Sequence, residues 1–342
     1  MKSIWTRLFI IITIFLVQIN AKEQGLSIDS TPLPKNIKKV YGSAPPITFM
    51  LYVIDESSLV GVSFPQINQG NKDGEKFLSK DFMKLPVLGG WHGDKLPNLE
   101  AIIKANPELI IVWDTPLLMG KSMKDIEKMN IPFLKINLDS SRNYPQNFRI
   151  LGEVLDRKDR ANKLADYAEK ELKELDDFIE SLGDAPRTKV YYAQGPTGLQ
   201  TECDSSFHSE PLVLAGGDVV HKCSQTTIVG MPTISFEELM VYDPDIIISQ
   251  NEEFFENIFN DSKWKTLRAV KNKNVFLAPK TPFNWIDRPP SFMRILGVHW
   301  LASRMYPKSY PYDLEKKIID FYELFFGKTL TKEEIDYYFK DY

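Results

Sequence analysis

Four short segments of this 342-residue chain carry side chains that can hold a small ligand. The richest is Phe283-Asn284-Trp285-Ile286-Asp287-Arg288-Pro289-Pro290-Ser291. Arg288 can grip an anion there, helped by the free amides of a helix starting near Pro290, and Trp285 offers a flat apolar wall. The competing expectation is that Asp287 pairs with Arg288 while Trp285 packs inside the protein. A second segment, Gly89-Gly90-Trp91-His92-Gly93, pairs an aromatic wall with an imidazole. His92 can complete the coordination of a chelated metal or donate to an anion; the alternative is a solvated loop histidine. The third and fourth segments are Ser43-Ala44-Pro45-Pro46 and Ala193-Gln194-Gly195-Pro196-Thr197-Gly198. His208 has the same standing as His92, whereas His221 and His299 read as structural. No dense His/Asp/Glu/Cys cluster is present to grip a naked ion, which favours a chelated metal or a tetrahedral oxyanion as ligand. No nucleophile elbow, zinc-protease helix or phosphate loop occurs, so an enzyme is the rival class without a supporting motif.

Each of these segments follows a strand or precedes a helix. Strands are expected at Lys39–Tyr41, Leu59–Val62, Leu109–Trp113, Ile131–Ile136, Lys189–Tyr192, Ile246–Ser249 and Val275–Ala278. Helices fall between them, near Ile47–Ile54, Pro97–Ala105, Pro211–Ala215, Phe236–Tyr242 and Pro290–Tyr306, and two more close the chain. Short β-branched runs separated by helices imply parallel strands with helical crossovers. Ligands then meet the loops at the carboxyl ends of the strands. Between the halves, apolar residues recur at helical spacing from Leu164 to Leu182, within a helical stretch of residues 147–182 with Asp156 as a candidate break. It reads as a rigid strut joining two lobes.

The first residues form a signal peptide: Lys2 and Arg7, then an apolar run from Leu8 to Val17, then Ala21. The run is about half of the ~20 residues that span a bilayer. With residues 1–21 removed, the expected divisions are 22–146 (N-terminal lobe), 147–184 (linking helix) and 185–342 (C-terminal lobe with terminal helices). The 42 basic and 46 acidic residues point away from nucleic acid. In an exported chain the only cysteines, Cys203 and Cys223, read as a disulfide, worth about 3 kcal/mol in the chain-entropy model. The alternative is a metal site built from Cys203, His208, His221 and Cys223.

The halves echo each other. Leu99-Glu100-Ala101-Ile102 leads to Asn106-Pro107-Glu108-Leu109, and Phe236-Glu237-Glu238-Leu239 leads to Asp243-Pro244-Asp245-Ile246. The offset is constant, with 236 − 99 and 244 − 107 both equal to 137. These stretches, with Val87-Leu88-Gly89-Gly90, Leu214-Ala215-Gly216-Gly217 and Ser235-Phe236-Glu237, resemble the helix-linked substrate-binding proteins of ABC importers for iron–siderophore, haem and cobalamin. The resemblance covers nearly the whole mature chain. It implies an α/β fold of two Rossmann-like lobes with parallel sheets, joined by one long helix, with the ligand in the cleft between them. It implies a soluble periplasmic monomer that captures a metal chelate and delivers it to a permease and ATPase complex at the inner membrane. The alternatives are an oxyanion such as molybdate or tungstate, a nickel complex, or a non-transport enzyme or signalling module on the same fold. Ser43, Pro46, Trp91, His92, Gln194, His208, Trp285, Arg288 and Ser291 are the candidate ligand contacts. No direct metal ligand and no cofactor is assigned. The resemblance also gives Glu100 and Glu237 a role in docking to permease arginines; the plainer alternative is two solvated glutamates at helix starts.

Overall fold

A computed structural model describes residues 37–65, 72–91, 96–117 and 119–339. The expected signal peptide, residues 1–21, and His92 lie outside the described residues. Three parallel strands, β1 (Val40–Gly42), β2 (Leu109–Trp113) and β3 (Phe133–Ile136), form the first sheet in the order β1-β2-β3. The second sheet is also parallel, in the order β5-β4-β6-β7, from β4 (Lys189–Ala193), β5 (Asp218–Val219), β6 (Ile246–Ser249) and β7 (Val275–Leu277). Every residue of β1, β2 and β6 is buried, as parallel strands covered on both faces require. The expected strand at Leu59–Val62 is reduced to isolated bridges, Val40 with Leu59 and Val62 with Val87.

The α-helices of five or more residues are numbered in chain order. In the N-terminal lobe they are α1 (Pro45–Asp55), α2 (Leu99–Ala105) and α3 (Met119–Lys128). The stretch expected to be one connecting helix is two. The chain breaks at Asp156, which takes φ 55°, between α4 (Tyr144–Val154) and α5 (Lys158–Ser181). The two pack as an antiparallel hairpin. Arg149 on α4 reaches Asp166 at 2.6 Å and Glu169 at 2.8 Å on α5, and Gly152 leaves no room for a Cβ beside Ala161. Only α5 is long, 24 residues or about 36 Å. It buries Leu164, Ala168, Leu172, Leu175 and Phe178 along one stripe.

The C-terminal lobe adds α6 (Glu210–Leu214), α7 (Phe236–Tyr242), α8 (Glu252–Ile258), α9 (Arg294–Met305), α10 (Leu314–Phe326) and α11 (Lys332–Tyr338). Helix α9 begins four residues later than the prolines suggested. Thr331 and Glu334 cap α11 reciprocally, as their spacing predicts. The largest core cluster runs through both lobes. Phe49 of α1 stacks on Phe283 at 3.7 Å, and Phe292 stacks on Phe325 of α10 at 5.0 Å. Arg160 of α5 donates to Val53 of α1 and to Leu324 and Phe325 at the end of α10, so one guanidinium ties three helices. The lobes are therefore joined by continuous packing as well as by α5.

The sequence echo is a structural repeat. Asn98 caps α2 and Ser235 caps α7, each accepting a backbone amide three residues on. Both helices end on a left-handed residue, Asn106 (φ 52°) and Asp243 (φ 43°). Glu108 then accepts the Lys39 amide of the first lobe, and Asp245 accepts the Lys189 amide of the second. The caps, the left-handed residues and the accepting carboxylates are each 137 positions apart, so helix, proline and strand sit in the same register in both lobes.

Candidate functional site

Strand β4 ends at Ala193, and Gln194 follows it into the interior. Its side-chain oxygen accepts Arg288 Nε at 3.1 Å. Arg288 Nη2 donates to the Val229 carbonyl at 2.9 Å and pairs closely with Glu202. Glu202 is only 1% exposed, while Arg288 keeps 17% of its side chain in solvent. Burial pushes the Glu202 carboxyl up, opposed by the charges of His208 and Arg288. Arg288 takes φ 63°, an uncommon conformation for a residue with a Cβ, held by these three contacts.

The neighbouring Asp287 is fully buried and collects three basic side chains. His208 Nδ1 lies 2.6 Å away, Arg294 Nη2 3.1 Å and Arg288 Nε 3.6 Å. Burial would raise its carboxyl, but His208, Arg288 and Arg294 together outweigh burial and hold it below the ordinary range. His208 Nε2 faces the Ile228 carbonyl at 2.8 Å. Both ring nitrogens thus have polar partners. Arg294 also donates to the Ile286 and Phe207 carbonyls.

The fold therefore gathers Gln194, His208 and Arg288 into one network, bound together by Glu202, Asp287 and Arg294. Glu202 and Arg294 carried no signal in the sequence. The other candidates lie elsewhere. Trp285 is in the core, its indole N–H on the Thr281 carbonyl and its ring 4.6 Å from Tyr338. Ser291 is fully buried and Pro46 buried, near the starts of α9 and α1. Ser43 accepts the Trp113 amide at 3.1 Å, fixing the end of β2. Trp91 is buried in the first lobe. Glu100 and Glu237 are exposed on α2 and α7, and neither forms an ion pair among the described residues. Cys203 and Cys223 form a disulfide, with His221 beside them; His208 takes no part in that group. The two sulfurs are bonded to each other and are not thiolates available to a metal.

A cavity of about 540 Å³ opens between the lobes. Its N-terminal wall is the loops after β2 and β3, including Thr115, Asn137, Asp139 and Ser140. Across it stand Asp204, Ser205, Ser206, Phe207, Glu210 and Gln225 of the second lobe. Three lining residues are carboxylates, several are hydroxyls, and none is Lys, Arg or His among the described residues. Burial pushes the Asp139 carboxyl up, while Trp113 Nε1 donates to it at 2.8 Å. Glu210 bridges the lobes. It accepts Ser140 Oγ at 2.8 Å, Ser141 N at 2.9 Å and Ser141 Oγ at 2.7 Å. Trp113 meets Phe207 edge-on across the same gap, at 5.5 Å. None of these bridging residues was distinguishable in the sequence, because their partners are 69 to 94 positions away.

A family model described as periplasmic binding protein matches residues 76–282, more than half of the chain. The chain belongs to the periplasmic binding protein family. The structure of an ABC transporter solute binding protein from Sulfurospirillum deleyianum is 57% identical to this binding protein. It superposes with a TM-score of 0.88, covering 90% of this chain and 96% of that one. The molybdate-binding protein MolA of Haemophilus influenzae is 26% identical over 279 residues, 74% of this chain and 77% of that protein. The haem uptake protein IsdE of Staphylococcus aureus is 24% identical over 223 residues, 63% of this chain and 73% of that protein. The two parallel lobes, the long helix and the cleft are thus those of an ABC-importer substrate-binding protein. No helix among the described residues is long and apolar enough to cross a membrane.

Proposed function

We infer that this binding protein captures a metal chelate between its lobes and hands it to an ABC permease at the inner membrane. The observation that carries the choice of ligand is the inter-lobe cavity. Its ~540 Å³ falls in the range of small-molecule sites and far exceeds a bare tetrahedral oxyanion. Its carboxylates and hydroxyls suit a cationic or hydroxyl-rich chelate and would repel a free anion. The similarity to a haem uptake protein supports the same class. The protein works in the periplasm as a monomeric carrier rather than an enzyme, with residues 1–21 removed on export. Glu100 and Glu237, one on each lobe in matching positions, engage cations on the two permease subunits.

A second reading, oxyanion capture, draws on the molybdate-binding relative and on the Gln194–Arg288–His208 group, in which two guanidinium groups and an imidazole face two carboxylates. Calorimetric titration of the mature protein with ferric chelates, haem, cobalamin, nickel–histidine, molybdate and tungstate separates the two. Saturable binding of a chelate supports the first reading. Binding of molybdate or tungstate alone replaces it with the second.

A further inference from the structure

We propose that each docking glutamate is half of a two-part contact, completed by an exposed apolar side chain one helical turn on: Ile103 beside Glu100 and Met240 beside Glu237. The proposal rests on the docking role given to the two glutamates above. It adds two contact residues and states what the partner offers: a cation next to an apolar recess, presented twice by a pair of like transporter subunits.

The repeat places these residues. Ile103 and Met240 are 137 positions apart, in the same register as the caps, the prolines and the glutamates. Residues three apart on a helix share a face, so glutamate and apolar residue stand together in both lobes. The preceding residue of each pair, Ile102 or Leu239, is fully buried. Ile103 and Met240 are each 53% exposed, and Val241 beside Met240 is 83% exposed.

Single exposed apolar residues need no explanation. These differ in their distribution. Among the described residues ten large apolar side chains are strongly exposed, and three of them lie on these two seven-residue helices. The helices are also held firmly, by side-chain caps, left-handed ends and the carboxylate locks on Lys39 and Lys189. A fixed carboxylate gives steering and orientation, while an apolar neighbour gives affinity that salt does not screen. Lys104 in the first lobe corresponds to the exposed Val241 in the second, and Ala101 to Glu238, which is engaged in capping its own helix. The second patch is the more apolar, so Met240 carries the larger share.

The test uses full-length mature protein and its cognate permease–ATPase complex in lipid nanodiscs, with association measured at low and high salt. Ile103→Ser and Met240→Ser are each expected to weaken association about tenfold, with Met240→Ser the weaker binder and the deficit persisting at high salt. Glu100→Gln with Glu237→Gln loses affinity mainly at low salt. Unchanged melting temperatures show that the folded protein is being compared. Serine variants that bind like the wild type, beside a weakened glutamine pair, overturn the apolar contact and leave the docking role intact. Wild-type binding by all the variants overturns both.

Discussion

Replacing Arg288 by alanine leaves Glu202 buried without its counter-charge. The carboxylate keeps the Met231 amide at 3.2 Å and the Ser206 hydroxyl at 3.2 Å, but loses its guanidinium. Breaking a buried pair from one side costs about 3–5 kcal/mol. Arg288 retains 17% exposure, so water replaces part of the lost interaction and the lower end, about 3 kcal/mol, is expected. For a chain of this size that lowers the melting temperature by about 4–5 °C. Adding Glu202→Gln removes the stranded charge and keeps an acceptor for the Met231 amide, while the new NH2 can donate to the Ser206 hydroxyl oxygen. The double variant is expected to regain most of the loss, and the single variant's deficit to shrink as the pH falls and Glu202 takes up a proton. Calorimetric melting of the three proteins at pH 7 and pH 5 measures this. A melting point unchanged in Arg288→Ala, or a double variant no more stable than the single one, refutes the reasoning. With stability restored, any remaining loss of ligand affinity in the double variant belongs to a ligand contact of Arg288.

Other outcomes follow from single observations. His299 is buried between Tyr310 and the Glu171 carbonyl, and burial, followed by the charge of Lys317, pushes its imidazole down to about 3. An unfolded histidine takes up its proton near pH 6.5, so this residue stabilises the fold fully above that pH and loses that contribution as the pH falls towards 3. About 2 kcal/mol is lost by pH 5; urea titrations of wild type and His299→Gln at pH 7 and 5 check this, and equal pH slopes contradict it. Gly297→Ala puts a Cβ 2.0 Å from the Trp285 carbonyl oxygen and is expected to destabilise by about 3 kcal/mol, measured as a melting shift; a wild-type melting curve contradicts the packing. Glu210→Ala removes three inter-lobe hydrogen bonds, so the ligand-free protein opens wider in small-angle scattering; an unchanged profile means that Glu210 does not hold the lobes together.

The parts of the fold that repeat were legible before any coordinate. The helix–proline–strand units around Pro107 and Pro244 each carry their own caps and apolar runs, and local chemistry settles them. The linking region was legible as helix from its apolar stripe. Its hairpin was not, because that depends on Gly152 meeting Ala161 and Arg149 meeting Asp166. The loop from Phe283 to Ser291 shows the limit most clearly. Its sequence names an indole and a guanidinium but does not say which faces inward. Trp285 packs against Tyr338 in the core, while Arg288 turns towards Gln194 and Glu202, 94 and 86 residues away. Glu210 and Ser141 are likewise ordinary surface residue types until the lobes are brought together.

The central claim is that the cleft holds a metal chelate. Native mass spectrometry of the mature protein, isolated from the periplasm of cells grown with trace metals, tests it most directly. The account predicts one adduct per protein whose mass and isotope pattern require both a metal and an organic chelator. An adduct with the mass of a bare molybdate or tungstate, or no adduct after saturation with chelates, contradicts it.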